Sequence, residues 1–205
     1  MSPSVLVNNT PYAVATAILM DAAGRETLVV AVKATFAWQR DHSLTLLPEA
    51  PAVVTADVYG GPPDASGLAW ANELTLPKPR VDVLLSGDIV LAAAVDQLDC
   101  TLTVAGRLSK TVRVFGDRHW RLSAVSSVVP SSSKPFTRMP MTWERSFGGQ
   151  DPDDPGAVDL RNPAGRGVCK QVSALEGQPV PNFEDPRAPI KDPLKGPVPI
   201  GLGPV

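Results

Sequence analysis

Proline constrains this chain more than any other residue. There are 22 prolines in 205 residues, roughly twice the usual ~5 %. Eleven fall in residues 1–150 and eleven in the last 55. Each removes a backbone donor and fixes φ, so this density excludes long helices. From Asp151 onward the only aromatic is Phe183. That is too little large apolar matter for a second core. The spacing therefore predicts a β-rich core domain over 1–150 and a Pro-rich irregular extension over 151–205. The extension must drape over the same domain, dock on a partner or move freely.

The first 125 residues read as strands. "AVATAILM", Ala13 to Met20, leads through "DAAGRE" into "TLVVAVKATFAW", Thr27 to Trp38. The glycine of the connection can take positive φ, so this is a hairpin signal. Leu28, Val30, Val32, Ala34, Phe36 and Trp38 share one face, and Lys33 and Thr35 the other. That alternation describes a half-buried antiparallel strand. Leu44–Ala50 predicts a short strand stopped by Pro48, and "ADVYGGPPDASGLAW" a loop. Val81–Val95 predicts strand with a possible turn at Gly87–Asp88. Cys100–Ala105 and Lys110–Gly116 form the clearest hairpin, and Arg118–Val125 continues the meander. The serine-rich Ser126–Pro135 reads as loop. Many short strands between Gly/Pro turns imply an all-β fold, an antiparallel sandwich or open barrel with a long Pro/Gly-rich C-terminal wrap.

Composition narrows the function classes. Net charge is −2 and the pI about 5.7, so no basic field exists for nucleic acid or anionic membrane. Cys100 and Cys169 lie far apart and read as free buried thiols, which fits a reducing compartment. The N-terminus lacks the charged and apolar regions of a signal peptide. The expected location is cytoplasmic.

Catalytic and metal motifs are not found. Two histidines, His42 and His119, and two cysteines supply no CxxC or HExxH spacing. There is no GxSxG elbow. "DPDDPG", Asp151 to Gly156, lacks calcium-loop spacing and reads as a solvated turn. Gly148–Gly149 and "RNPAGRG", Arg161 to Gly167, do not match a phosphate loop. No catalytic, metal or cofactor residue is expected. Paired carboxylates, with Glu144 beside Asp151 or Asp117, leave a glycosidase-like alternative open.

Charged residues cluster in three places. "KPRVD" holds Lys78 and Asp82, "FGDRHW" holds Asp117, Arg118 and Trp120, and "TWERSFGG" holds Trp143, Glu144, Arg145 and Phe147. Either these form one charged network at an end of the sandwich, or they are separate surface residues worth little each. Residues 139–147 are either extended or a helical turn. Both readings bury Trp143 and Phe147, and both point Glu144 and Arg145 apart.

The ordered motifs "KPRVDVLLSG", "VFGDRHW", "PFTRMPMTWERSFGG", "RNPAGRG" and "PVPNFEDP" closely resemble the domain-of-unknown-function family 2169, from about Val29 to the last residue. The family pattern matches Lys78, Asp82, Asp117, Arg118, Trp120, Glu144, Arg145, Phe147, Asn162, Asn182 and Glu184, among others. It assigns none of them a chemical role, so Lys78, Asp82, Asp117, Arg118, Trp120, Glu144, Arg145, Phe147 and Asn162 stand, with Trp143, as structural or partner-binding candidates. Members lie beside type VI secretion genes. The resemblance implies a cytoplasmic, non-enzymatic adaptor or chaperone that binds a type VI secretion effector and helps load it onto the spike protein. The alternatives are a hydrolytic β-sandwich using paired carboxylates and a structural spike-associated component. Members usually continue past "PIGLGPV" with a Trp- and Arg-rich segment, so the resemblance implies a chain short for its family, by nature or as a fragment.

Overall fold

The computed structural model describes residues 6–63, 65–123, 127–197 and 199–200. Strands dominate, the pairing is almost wholly antiparallel, and no described sheet closes into a barrel. The all-β expectation is met. The chain forms two compact units, residues 1–58 with 68–83 and residues 59–67 with 84–205.

The first unit is built on a hairpin of β1 (Ala13–Met20) and β2 (Glu26–Lys33). Its register sets Val14 opposite Val32, Thr16 opposite Val30 and Ile18 opposite Leu28. Asp21 closes the turn. Its carboxylate accepts the amides of Ala23 and Arg25, and Gly24 takes φ +74°. β3 (Phe36–Trp38) and β4 (Leu44–Leu46) pair as a second ribbon. The long strand expected over 27–38 is thus broken at Ala34–Thr35, where Thr35 gives its carbonyl to the Leu47 amide.

The alternation of β2 is as expected, but the covered face is the opposite one. Leu28, Val30 and Val32 are 66, 51 and 61 % exposed. Ile18 and Met20 on β1, Phe36 and Trp38 on β3 and Leu44 on β4 are also exposed. The half-buried face of the hairpin carries Ala15, Ala17, Leu19, Val29 and Ala31. Among the described residues of this unit, only Val53 and Leu74 are buried hydrophobics.

β5 (Val58–Tyr59) and β6 (Leu68–Trp70) lie where the chain leaves the first unit and returns to it. They occupy part of the stretch expected as loop. Val81–Leu85, expected as strand, forms none, and its apolar side chains are exposed. Pairing starts only at Asp88, because the Met139–Pro140 end of a later strand reaches no further back than Asp88.

In the second unit β7 (Asp88–Val95) is followed by the hairpin of β8 (Gln97–Val104) and β9 (Leu108–Phe115). β10 (Trp120–Leu122) pairs with β11 (Val128–Pro130) rather than extending the meander. The Ser126–Pro135 stretch therefore contains a strand, held because Val128 is buried beside Trp120. Residues 124–125, the end of the expected meander strand, and 126, the start of the expected loop, lie outside the described residues. β12 (Phe136–Pro140) returns antiparallel to β7. Then come a 3-10 turn at Trp143–Arg145, β13 (Phe147–Gly148), β14 (Gln150–Asp151), β15 (Asp154–Val158) and β16 (Arg166–Gly167). β17 (Phe183–Glu184) adds to the free edge of β9, giving the order β17-β9-β8.

The described residues of the proline-rich segment belong to this unit and pack into it. Leu175 and Val180 join Trp120 and Val128 in one cluster, and Phe183 joins Val114 and Met139 in another. Chain segments approach very closely here. A Cβ on Gly116 would stand 1.8 Å from the Lys134 carbonyl oxygen. Gly116→Ala should therefore destabilise the fold by about 3 kcal/mol or more. Gly177→Ala, whose Cβ would meet open space, bears only the cost of its φ of +75°. Denaturant unfolding of the two variants checks the difference.

Candidate functional site

The "WERSFGG" segment is a 3-10 turn that runs into a two-residue strand. Ser146 returns its amide to the Trp143 carbonyl, and β13 then pairs in parallel with β16, Phe147 beside Arg166 and Gly148 beside Gly167. Gly148 has φ +143°, and a Cβ there would stand 2.3 Å from the Asn162 carbonyl oxygen. Only glycine satisfies both conditions. Phe147 is buried and lies over Gly167, while Trp143 is half-buried against the Gly67 backbone. Both aromatics were expected inside, so Trp143 is the partial exception.

Two asparagines hold this segment. Asn162 donates its amide to the carbonyls of Trp143 (2.9 Å) and Phe147 (3.0 Å). Asn182 donates to the Phe115 carbonyl (3.0 Å) and to Asp117 Oδ1 (3.1 Å), and its own Oδ1 accepts from Arg145 Nη1 (3.1 Å).

Glu144 and Arg145 have separate partners. Arg145 Nη1 lies 3.0 Å from Asp117 Oδ1. Glu144 Oε1 accepts the Gly67 amide at 2.6 Å. Burial opposes ionisation of Glu144, but the Gly67 amide, its own amide, the Thr142 hydroxyl and the Arg166 charge together hold its carboxyl below the usual range. Asp117 is likewise held low: burial opposes its charge, and Asn182, Arg145 and Arg166 outweigh that. Both are carboxylates at neutral pH, which does not suit either for a general acid.

Arg118 departs from the Glu144–Arg145 group. It is buried, with Nη2 2.7 Å from Glu184 Oε1 and 2.8 Å from the Pro181 carbonyl oxygen. The other Glu184 oxygen accepts the Ile190 amide. The Arg118 guanidinium lies 3.7 Å from the Phe115 ring centroid, while its Nε finds no acceptor among the described residues. Trp120 is buried in the core, its indole N–H also without an acceptor among the described residues. Lys78 and Asp82 pair with each other at 2.5 Å in the first unit. Of the expected candidates, then, Asp117, Glu144, Arg145 and Asn162 sit around one turn. Arg118 ties down the C-terminal segment, Trp120 is core, and the Lys78–Asp82 pair is local.

The family model DUF2169, described as an uncharacterized protein conserved in bacteria, matches residues 23–205. The chain belongs to the DUF2169 family. No curated protein and no solved structure matches it. Among the described residues, no three His, Cys, Asp or Glu side chains gather as a metal ion would require, and no helix is long and apolar enough to cross a membrane.

The DUF2169 motif residues that sequence reasoning left aside are Arg166, Asn182 and Glu184. Arg166 donates Nε to the Glu144 carbonyl oxygen at 2.6 Å. Its signal was its place two residues before Val168 in "AGRGVC", a lone cation between glycines. The two thiols are unpaired, and burial, with Asp151 and Asp192 nearby, pushes Cys169 up to about 11.

Two outcomes follow from this geometry. Glu184→Ala leaves a buried guanidinium without its anion and should cost about 3–5 kcal/mol, whereas Arg118→Met with Glu184→Leu should recover most of that loss. Thermal and urea unfolding of the single and double variants measure it. The depressed carboxyls of Glu144 and Asp117 contribute stability above their unfolded values near ~4, lost as pH falls through their lower folded values. Glu144→Gln with Asp117→Asn should flatten that acid limb, read as melting temperature between about pH 2.5 and pH 6.

Proposed function

We propose that this chain is a non-enzymatic cytoplasmic adaptor that binds a type VI secretion effector and helps load it onto the secretion spike. The observation that carries the reading is the open apolar face of the first unit. Ile18, Met20, Leu28, Val30 and Val32 stand exposed across one hairpin. A two-stranded sheet is marginal by itself, and apolar surface in a contiguous patch marks a docking site. The occupant is the apolar surface of an effector protein, and the secretion context comes from the sequence resemblance. The hydrolytic alternative draws no support from Glu144 and Asp117, whose carboxylates are engaged and held ionised.

The test is co-purification from the native operon. Effector or spike protein should come down with the chain. Leu28→Glu with Val30→Glu should weaken capture by about tenfold or more with little change in melting temperature, because both side chains already face solvent. Failure of both proteins to co-purify, with unchanged effector export after gene deletion, would sink the adaptor reading.

A further inference from the structure

We propose that Arg166 and Arg145 form a fork that takes a single carboxylate. Arg166 is half-buried and held at both ends. Its amide donates to the Ser146 carbonyl (3.0 Å), its Nε to the Glu144 carbonyl (2.6 Å), and its strand pairs with β13. These bonds use one of the five guanidinium donors. Among the described residues neither Nη group of Arg166 has an acceptor, and no carboxylate forms an ion pair with it. Arg145 spends Nη1 on Asp117 and Asn182, and its Nε and Nη2 donate to no described residue.

A cation withdrawn from water needs an anion or hydrogen-bond acceptors. The nearby carboxylates do not fill the role. Glu144 turns to the Gly67 amide, and Asp117 Oδ1 to Arg145 and Asn182. The Arg166 amide and Nε bond the carbonyls of Ser146 and Glu144, the two residues that flank Arg145, so both cations stand at the same turn, and burial and then the Arg145 charge hold Arg166 below the usual guanidinium range. A planar carboxylate satisfies such a pair through parallel N–H···O bonds. A phosphate dianion suits the site less, because the charges of Asp117 and Glu144 flank it. The backbone bonds hold the Arg166 fork in place before any ligand arrives, which lowers the ordering cost of binding. The carboxylate comes from an acidic side chain of a protein or from a free small acid. The site belongs to the second unit, and it stands or falls without an effector.

The experiment titrates the full chain, labelled at arginine side chains, with sodium acetate and with acetyl-Gly-Glu-Gly-amide, at ionic strength fixed with sodium chloride. Nuclear magnetic resonance should show saturable shifts at the Nη groups of Arg166 and Arg145, and none at Arg187, which is exposed beside Asp185. Arg166→Lys should weaken acetate binding by about tenfold. Asp117→Asn removes a flanking negative charge and should tighten it by about threefold; this variant carries the test if Arg166→Lys fails to fold. A peptide that binds more tightly than acetate identifies a protein source, and equal binding a free acid; both keep the site. Shifts that rise linearly and equally at Arg187, or an Asp117→Asn affinity that is unchanged or weaker, overturn it.

Discussion

Asn182 has no exposed surface, and every polar atom it owns is engaged. Its backbone N–H donates to the Arg145 carbonyl and its carbonyl accepts the Phe115 amide, both at 2.8 Å. Its side chain adds Phe115, Asp117 and Arg145 again. One residue thus joins the end of β9, the 3-10 turn and the proline-rich segment. A buried amide with all its bonds made rigidifies its surroundings, while a partly satisfied one is costly. That cost fixes where residues 180–184 must run, and β17 can then add to β9 in only one register, Phe183 beside Val114.

The same logic explains why so many polar motif residues are structural. A segment with eleven prolines cannot satisfy its neighbours through regular ladders, since each proline lacks an N–H. Side chains supply the missing order. Asn162 ties the turn to β13, Arg118 reaches the Pro181 carbonyl and Glu184, and Arg166 caps the Glu144 carbonyl. The prolines that forbid helices also make these contacts necessary.

Strand content and the Ala13–Lys33 and Gln97–Phe115 hairpins were legible, because period-two alternation and turn glycines are local signals. The partners of the charges were not. Arg118 pairs with Glu184 across 66 positions, and Glu144 with Gly67 across 77. No local pattern encodes such distances. Alternation also shows that a strand has two faces but not which one is covered. Leu28, Val30 and Val32 form the outward face, while Ala15, Ala17, Leu19, Val29 and Ala31 form the covered one. The Val81–Leu85 run has strand composition and no ladder, since β-propensity reflects packing against neighbours more than an intrinsic preference.

The addition of β17 to the edge of β9 has a consequence for synthesis. Chains emerge from the ribosome N-terminus first, at ~5–20 residues per second. The β8–β9 hairpin is complete by Phe115, but the strand that caps its edge begins at Phe183. For several seconds the nascent chain therefore carries an open strand edge and lacks Phe183 and Leu175 from its two clusters. Any chaperone that attends this protein has its work in that interval, and stalling before residue 180 would release a species prone to pair with other edges.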